Sequence, residues 1–147
     1  MIRLIDVTDN DGRMVESRLL ARAESVHRQL RTKLPADYAA KMQRVFAGGG
    51  RMMIAVDEDA VVGVAIWRVH ENTFNGVQMY VDDLITDESR RSRGVGRALL
   101  EALQARARAL GCDSFTLDSG THRQQAHKFY FREGMVVNAF HFDKKLT

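Results

Sequence analysis

From Val81 to Gly111 the chain reads VDDLITDESRRSRGVGRALLEALQARARALG: an apolar run, an arginine-rich turn holding two glycines, then a long stretch of helix-forming residues. This order constrains the fold more than any other feature. A strand that passes through a tight turn into a helix can rejoin its sheet only as a crossover, so the next strand must run parallel to the first. Val95, Leu99, Leu103 and Leu110 fall on one face of the helix and arginines on the other, and Gly111 is placed to cap its end.

The flanking segments fill in a mixed α/β domain. IRLIDV, residues 2–7, reads as a first strand. Leu19, Leu20, Ala23, Val26 and Leu30 recur at helical spacing, and Pro35 with Asp37 marks a break before a second helix through Phe46. Gly48, Gly49 and Gly50 end that helix; no Lys-Ser or Lys-Thr pair follows, as a nucleotide-binding phosphate loop would need. RMMIAVD and VVGVAIWRVH form a hairpin across the acidic turn 57–59, and VQMYVDDLIT follows as a third adjacent, antiparallel strand. Ser114 to Leu117 is a short strand, HRQQAHKFYFRE (122–133) a helix ended by Gly134, and VVNAFHFDKK a last extended stretch. Phe129 and Phe131 are expected to be buried. At 147 residues the chain is expected to be a single domain, residues 1–147.

The formal charge of +3 is concentrated: Arg90, Arg91, Arg93 and Arg97 crowd around Gly94 and Gly96. The start of a helix presents amides with no partner inside the helix and carries about half a positive charge, and glycine lets an anion approach them. A dinucleotide fingerprint would want a third glycine where Leu99 stands. A nucleic-acid surface would want aromatic residues among the basic ones, and none interleaves. What remains is a pyrophosphate carried by something other than NAD.

Other chemistries find little support. His122 and His127 are five apart, unlike a helical zinc pair, and His27, His70 and His141 are isolated and read as ordinary surface or strand residues, so no metal site is expected. Cys112 has no base beside it in sequence to make it an acyl carrier, and a lone cysteine suits a reducing compartment. With no apolar run of about 20 residues, the expectation is a cytoplasmic protein with no membrane or nucleic-acid partner.

Arg91-x-x-Gly94-x-Gly96, following VDDLIT and opening a helix, resembles the acetyl-CoA signature of the GCN5-related N-acetyltransferases, the GNAT superfamily. AHKFYFREGM, Ala126 to Met135, is similar to the family's second marker, and the two stand in register over most of the chain. The resemblance implies a mixed, mostly antiparallel sheet with a splayed parallel strand pair and about four flanking helices. It implies acetyl transfer from acetyl-CoA, the cosubstrate, to a primary amine, most readily on a small molecule. The alternative is a non-catalytic acyl-CoA-binding sensor or interaction module of the same fold.

Placed on this sequence, the resemblance gives cofactor contacts at Leu84, Ile85 and Thr86, largely through main chain, and at Arg91, Ser92, Arg93, Gly94, Val95, Gly96 and Arg97. Tyr130 matches the tyrosine that protonates the departing thiolate. Asp82 falls where polyamine-type members carry a general base, and Tyr80 and Asp83 are expected to face substrate. Regular alternation would put Tyr80, Asp82 and Leu84 on one face and Asp83 on the other unless a bulge intervenes. Arg123 stands where many members have an asparagine that contacts pantetheine. The segment from Arg31 to Tyr38 and the final strand are expected to wall the acceptor side. Acids there suit a cationic amine, whereas Arg31 and Lys33 suit an acceptor carrying a carboxylate or phosphonate. The terminal strand offers an edge through which a homodimer could form.

Overall fold

In a computed structural model, residues 1–91 and 93–147 are described; Ser92, expected at the anion site, lies outside them. The chain divides into two compact units, Met1–Thr116 and Leu117–Thr147.

The first unit is built on β1 (Ile2–Asp6), α1 (Ser17–Leu30), α2 (Tyr38–Ala47), β2 (Arg51–Asp57), β3 (Ala60–Asn72), β4 (Gly76–Thr86) and α3 (Val95–Ala109), leading into β5 (Ser114–Leu117). The strands form one sheet in the order β1-β2-β3-β4-β5. The first three pairings are antiparallel and β4 and β5 run parallel, the geometry that a helical crossover imposes.

The layers follow from which side chains the strands turn up and down. Leu20, Ala23 and Val26 of α1 and Tyr38, Met42 and Phe46 of α2 share one core with Met52, Ile54, Val64, Ile66 and Ile85 of the sheet. On α3, Val95, Leu99, Leu100, Leu103 and Ala107 are buried, and the Arg106 guanidinium lies over the Trp67 ring. Gly63 of β3 permits that approach, because a Cβ there would stand 2.8 Å from Val95 and 2.9 Å from Leu99. The sheet thus fixes the height and start of α3, and with it the turn that precedes it.

In the second unit, α4 spans Gln124–Arg132, starting and ending inside the expected range. Tyr130 is buried; Phe131, expected to be buried, is 56% exposed, since it follows Tyr130 by one residue and points about 100° away around the helix. The expected last strand is not formed: residues 135–147 carry neither helix nor strand, and Val136, Phe140 and Phe142 are exposed. An extended apolar segment becomes a strand only where a neighbouring backbone accepts its hydrogen bonds.

Candidate active site

The turn between β4 and α3 begins with one 3₁₀ turn, Glu88–Arg90, held from a distance: Gln29 of α1 accepts a bond from the Glu88 amide at 3.0 Å and donates to the Asp87 carboxylate at 3.2 Å. Gly94 is the N-cap of α3 in the left-handed region, φ 82°, with no side-chain cap, and none of the described residues it does not adjoin stands within 4 Å of where its Cβ would be. The earliest amides of α3 have no partner inside the helix and none among the described backbone carbonyls. Of the four arginines, Arg90 is spent on Asp57 at 2.8 Å and Arg97 pairs with Glu101 at 2.9 Å, whereas Arg91 and Arg93 are exposed and meet no acid among the described residues. Val95 is buried under the helix and Gly96 half-buried in its first turn.

On β4, just before this turn, a bulge changes the expected alternation. Ile66 of β3 is opposite Asp83 and Trp67 is opposite Val81, so Asp82 is the extra residue. Cross-strand partners share a face. Leu84, opposite Ala65, therefore faces the α3 side, while Asp83, opposite Ile66, and Tyr80, opposite Arg68, turn toward α1 and α2. The simple alternation placed Tyr80 with Leu84; the structure places it with Asp83. Arg68 grips both oxygens of Asp82, at 2.7 and 2.8 Å, and stacks over the Tyr80 ring.

Asp83 lines a cavity of about 530 Å³ walled by the end of α1, the segment from Arg31 to Pro35, and α2. Its carboxylate accepts from His27 Nε2 at 2.6 Å and from Arg31 Nε at 2.7 Å, and Arg31 also donates to the Asp82 carbonyl at 2.7 Å. Since a carboxylate only accepts, Nε2 carries a hydrogen, and in the neutral ring Nδ1 accepts from the Tyr38 hydroxyl at 2.8 Å. Burial pushes the Asp83 carboxyl up, but His27 and Arg31 together outweigh it and leave it below the usual carboxylate range. Burial, aided by Glu24 and Asp83, pushes the Tyr38 phenol well up, so it stays a donor. His27, read from the sequence as an ordinary isolated histidine, is 1% exposed and bonded on both nitrogens.

Within the second unit, burial raises the Tyr130 phenol, partly countered by a hydrogen bond and charge from Arg123. Cys112 is a free thiol that burial, with Asp113, pushes up, which makes it a poor nucleophile. No group of three metal-ligating side chains gathers among the described residues, and none of their helices is long and apolar enough to cross a membrane.

The family model describing the acetyltransferase (GNAT) family matches residues 18–135, most of both units. The chain belongs to the acetyltransferase (GNAT) family. By family it is an N-acetyltransferase. It is 29% identical over 121 residues to a protein of Bacillus subtilis (strain 168) described as an uncharacterized N-acetyltransferase, YhdJ, an alignment that spans 79% of this chain and 84% of that one. Its fold is similar to that of an acetyltransferase from Trypanosoma brucei, with 20% identity, TM-score 0.79, and 99% of this chain and 100% of that one covered. It is likewise similar in fold to the aminoglycoside N-acetyltransferase AAC(6')-Iy solved in complex with CoA, at 18% identity and TM-score 0.82, over 100% of this chain and 96% of that one.

The residues present fit a pyrophosphate: a left-handed glycine with room on its Cβ side among the described residues, a helix start with no side-chain cap, and Arg91 and Arg93, which meet no acid among the described residues. What sequence reasoning missed in this GNAT domain is the His27–Tyr38 pair. Its signals were a histidine placed among the apolar positions of α1 and a tyrosine opening α2, neither of which says what it meets.

Proposed function

We propose that the protein transfers the acetyl group of acetyl-CoA to the primary amine of a small molecule by direct attack, the whole chain acting as one acetyltransferase domain. The observation that carries this reading is the open, uncapped start of α3 at Gly94, directly after β4, in a chain of this family. The amides of Gly94, Val95, Gly96 and Arg97 and the side chains of Arg91 and Arg93, with Ser92 between them in sequence, hold the pyrophosphate, and the backbone of Leu84, Ile85 and Thr86 receives the pantetheine arm. Acetyl-CoA supplies a thioester whose acyl carbon an amine can attack.

The protein's own residues manage protons. An alkylamine with a pKa near 10.4 is protonated at pH 7, and stripping that proton costs about 4.6 kcal/mol. Asp83 orients the ammonium, with Tyr80 on the same face. Each of its oxygens already accepts one hydrogen bond and retains a lone pair for another. Asp82 takes the proton, directly or through water, when the half-exposed Arg68 swings aside. Tyr130, a phenol protonated at neutral pH, gives a proton to the departing thiolate; burial makes it a weaker acid, and the charge and hydrogen bond of Arg123 offset part of that.

Calorimetric titration with acetyl-CoA and release of free thiol across a panel of amines test this reading. Tyr130→Phe is expected to slow turnover about 10²-fold or more while leaving CoA affinity unchanged. Heat of binding without thiol release from any amine points instead to a binding module. An absence of heat removes the reading altogether.

A further inference from the structure

The cavity beside Asp83 is unbalanced in charge. It is walled by one acid, Asp83, and by three permanent cations, Arg31, Lys33 and Lys41. Arg31 is committed to Asp83, at 2.7 Å through Nε, and the two cancel. Lys33 and Lys41 remain, and neither has an ion-pair partner among the described residues. Lys41 is half-buried on α2, beside Met42 and one turn from Val45, both of which line the same cavity. Two ammonium groups with no acid to neutralise them on the wall of one cavity favour an anion that can accept hydrogen bonds from both. A second cationic group on the acceptor would meet repulsion from both lysines.

We propose that the acceptor is a small amine that also carries an acidic oxyanion, a carboxylate or a phosphonate or phosphate group, with Lys33 and Lys41 holding the anion while Asp83 orients the amine. This rests on the acetyltransferase reading of the same site. The cavity's volume, about 530 Å³, suits a small molecule. The proposal runs against what the fold likeness to an aminoglycoside acetyltransferase would suggest, because an aminoglycoside carries several amines and no acid.

The test measures binding and turnover separately. With CoA present, β-alanine, aminoethylphosphonate, β-alaninamide and diaminopropane are titrated into the protein by calorimetry. The two acid-bearing amines are expected to bind about tenfold or more tighter than the amide and the diamine, and the stronger of the two tells carboxylate from phosphonate. Lys33→Met with Lys41→Met should erase the preference, and Lys33→Arg with Lys41→Arg should keep it. Equal or tighter binding of the amide or diamine overturns the proposal, as does a preference that survives the double methionine variant. Thiol release is then followed for all four amines. Failure to release thiol with any of them counts against the acetyltransferase reading, while the binding order still decides the question of charge.

Discussion

The turn at Gly94 and the cavity at Asp83 lie within a dozen residues of each other in sequence, yet they are built in opposite ways. The turn is local: it consists of a helix start and a glycine in a left-handed conformation, and Arg91 and Arg93 beside it are exposed, with no ion pair among the described residues. The cavity is assembled from afar. Asp83 meets His27 across 56 positions and Arg31 across 52, and its side chain is only 12% exposed. A main-chain site is hard to weaken by changing side chains, whereas a side-chain network in low dielectric is only as good as each member.

The sharpest test of that contrast is Asp83→Ala. It strips the acceptor from a buried His27 N–H and the counter-charge from Arg31, at an expected cost of about 2–3 kcal/mol of stability, held down because Arg31 is half exposed and can turn to water. Urea denaturation measures it. The same pair predicts a pH signature. Asp83 titrates below its unfolded value, so its contribution is complete above the ordinary carboxylate pKa of about 3.9 and is lost as pH falls through the lower folded value. The gap between wild type and Asp83→Ala should therefore be full at pH 7 and narrow in acid. CoA affinity should hold while the KM for amine rises.

Gly94→Val probes the other region. Among the described residues no neighbour stands where its side chain would go, so the expected cost is conformational, about 1–2 kcal/mol for a left-handed residue with a Cβ, and more for a β-branched one. Calorimetry should show acetyl-CoA binding weakened by about tenfold or more, as the amides turn away and a side chain intrudes. The affinity for amine should move little. Loss of both together would mean that turn and cavity are one coupled structure.

This division also explains what could be read from the chain in advance. The element order and the parallel crossover were legible because each rests on local pattern: apolar runs, helical spacing, glycines at the ends. The glycine turn that opens α3 was legible for the same reason. The bulge at Asp82 was not, because alternation is a two-residue rule and an extra residue is set by the pairing with β3, which moved Tyr80 to the face of Asp83. His27 gave no sign of its partners, since nothing within a helix tells which strand end lies beneath it. The last segment was read as a strand from its apolar residues alone, and those residues cannot name a hydrogen-bonding neighbour.

The smallest effect expected is also the one that could reverse the comparison. Arg91 and Arg93 are exposed and make no ion pair among the described residues, so any charge they lend to a pyrophosphate acts through water and is screened by salt. Arg91→Ala and Arg93→Ala should each weaken acetyl-CoA binding by about 0.5–1 kcal/mol at low salt and by less at high salt, with no change in stability. Calorimetry at two salt concentrations reads both quantities. If instead the arginine variants lose more affinity than Gly94→Val, side-chain charge holds the pyrophosphate and the backbone merely stands near it. The turn would then be a side-chain site like the cavity, only more exposed, and the freedom of its glycine would matter for folding the turn rather than for gripping an anion.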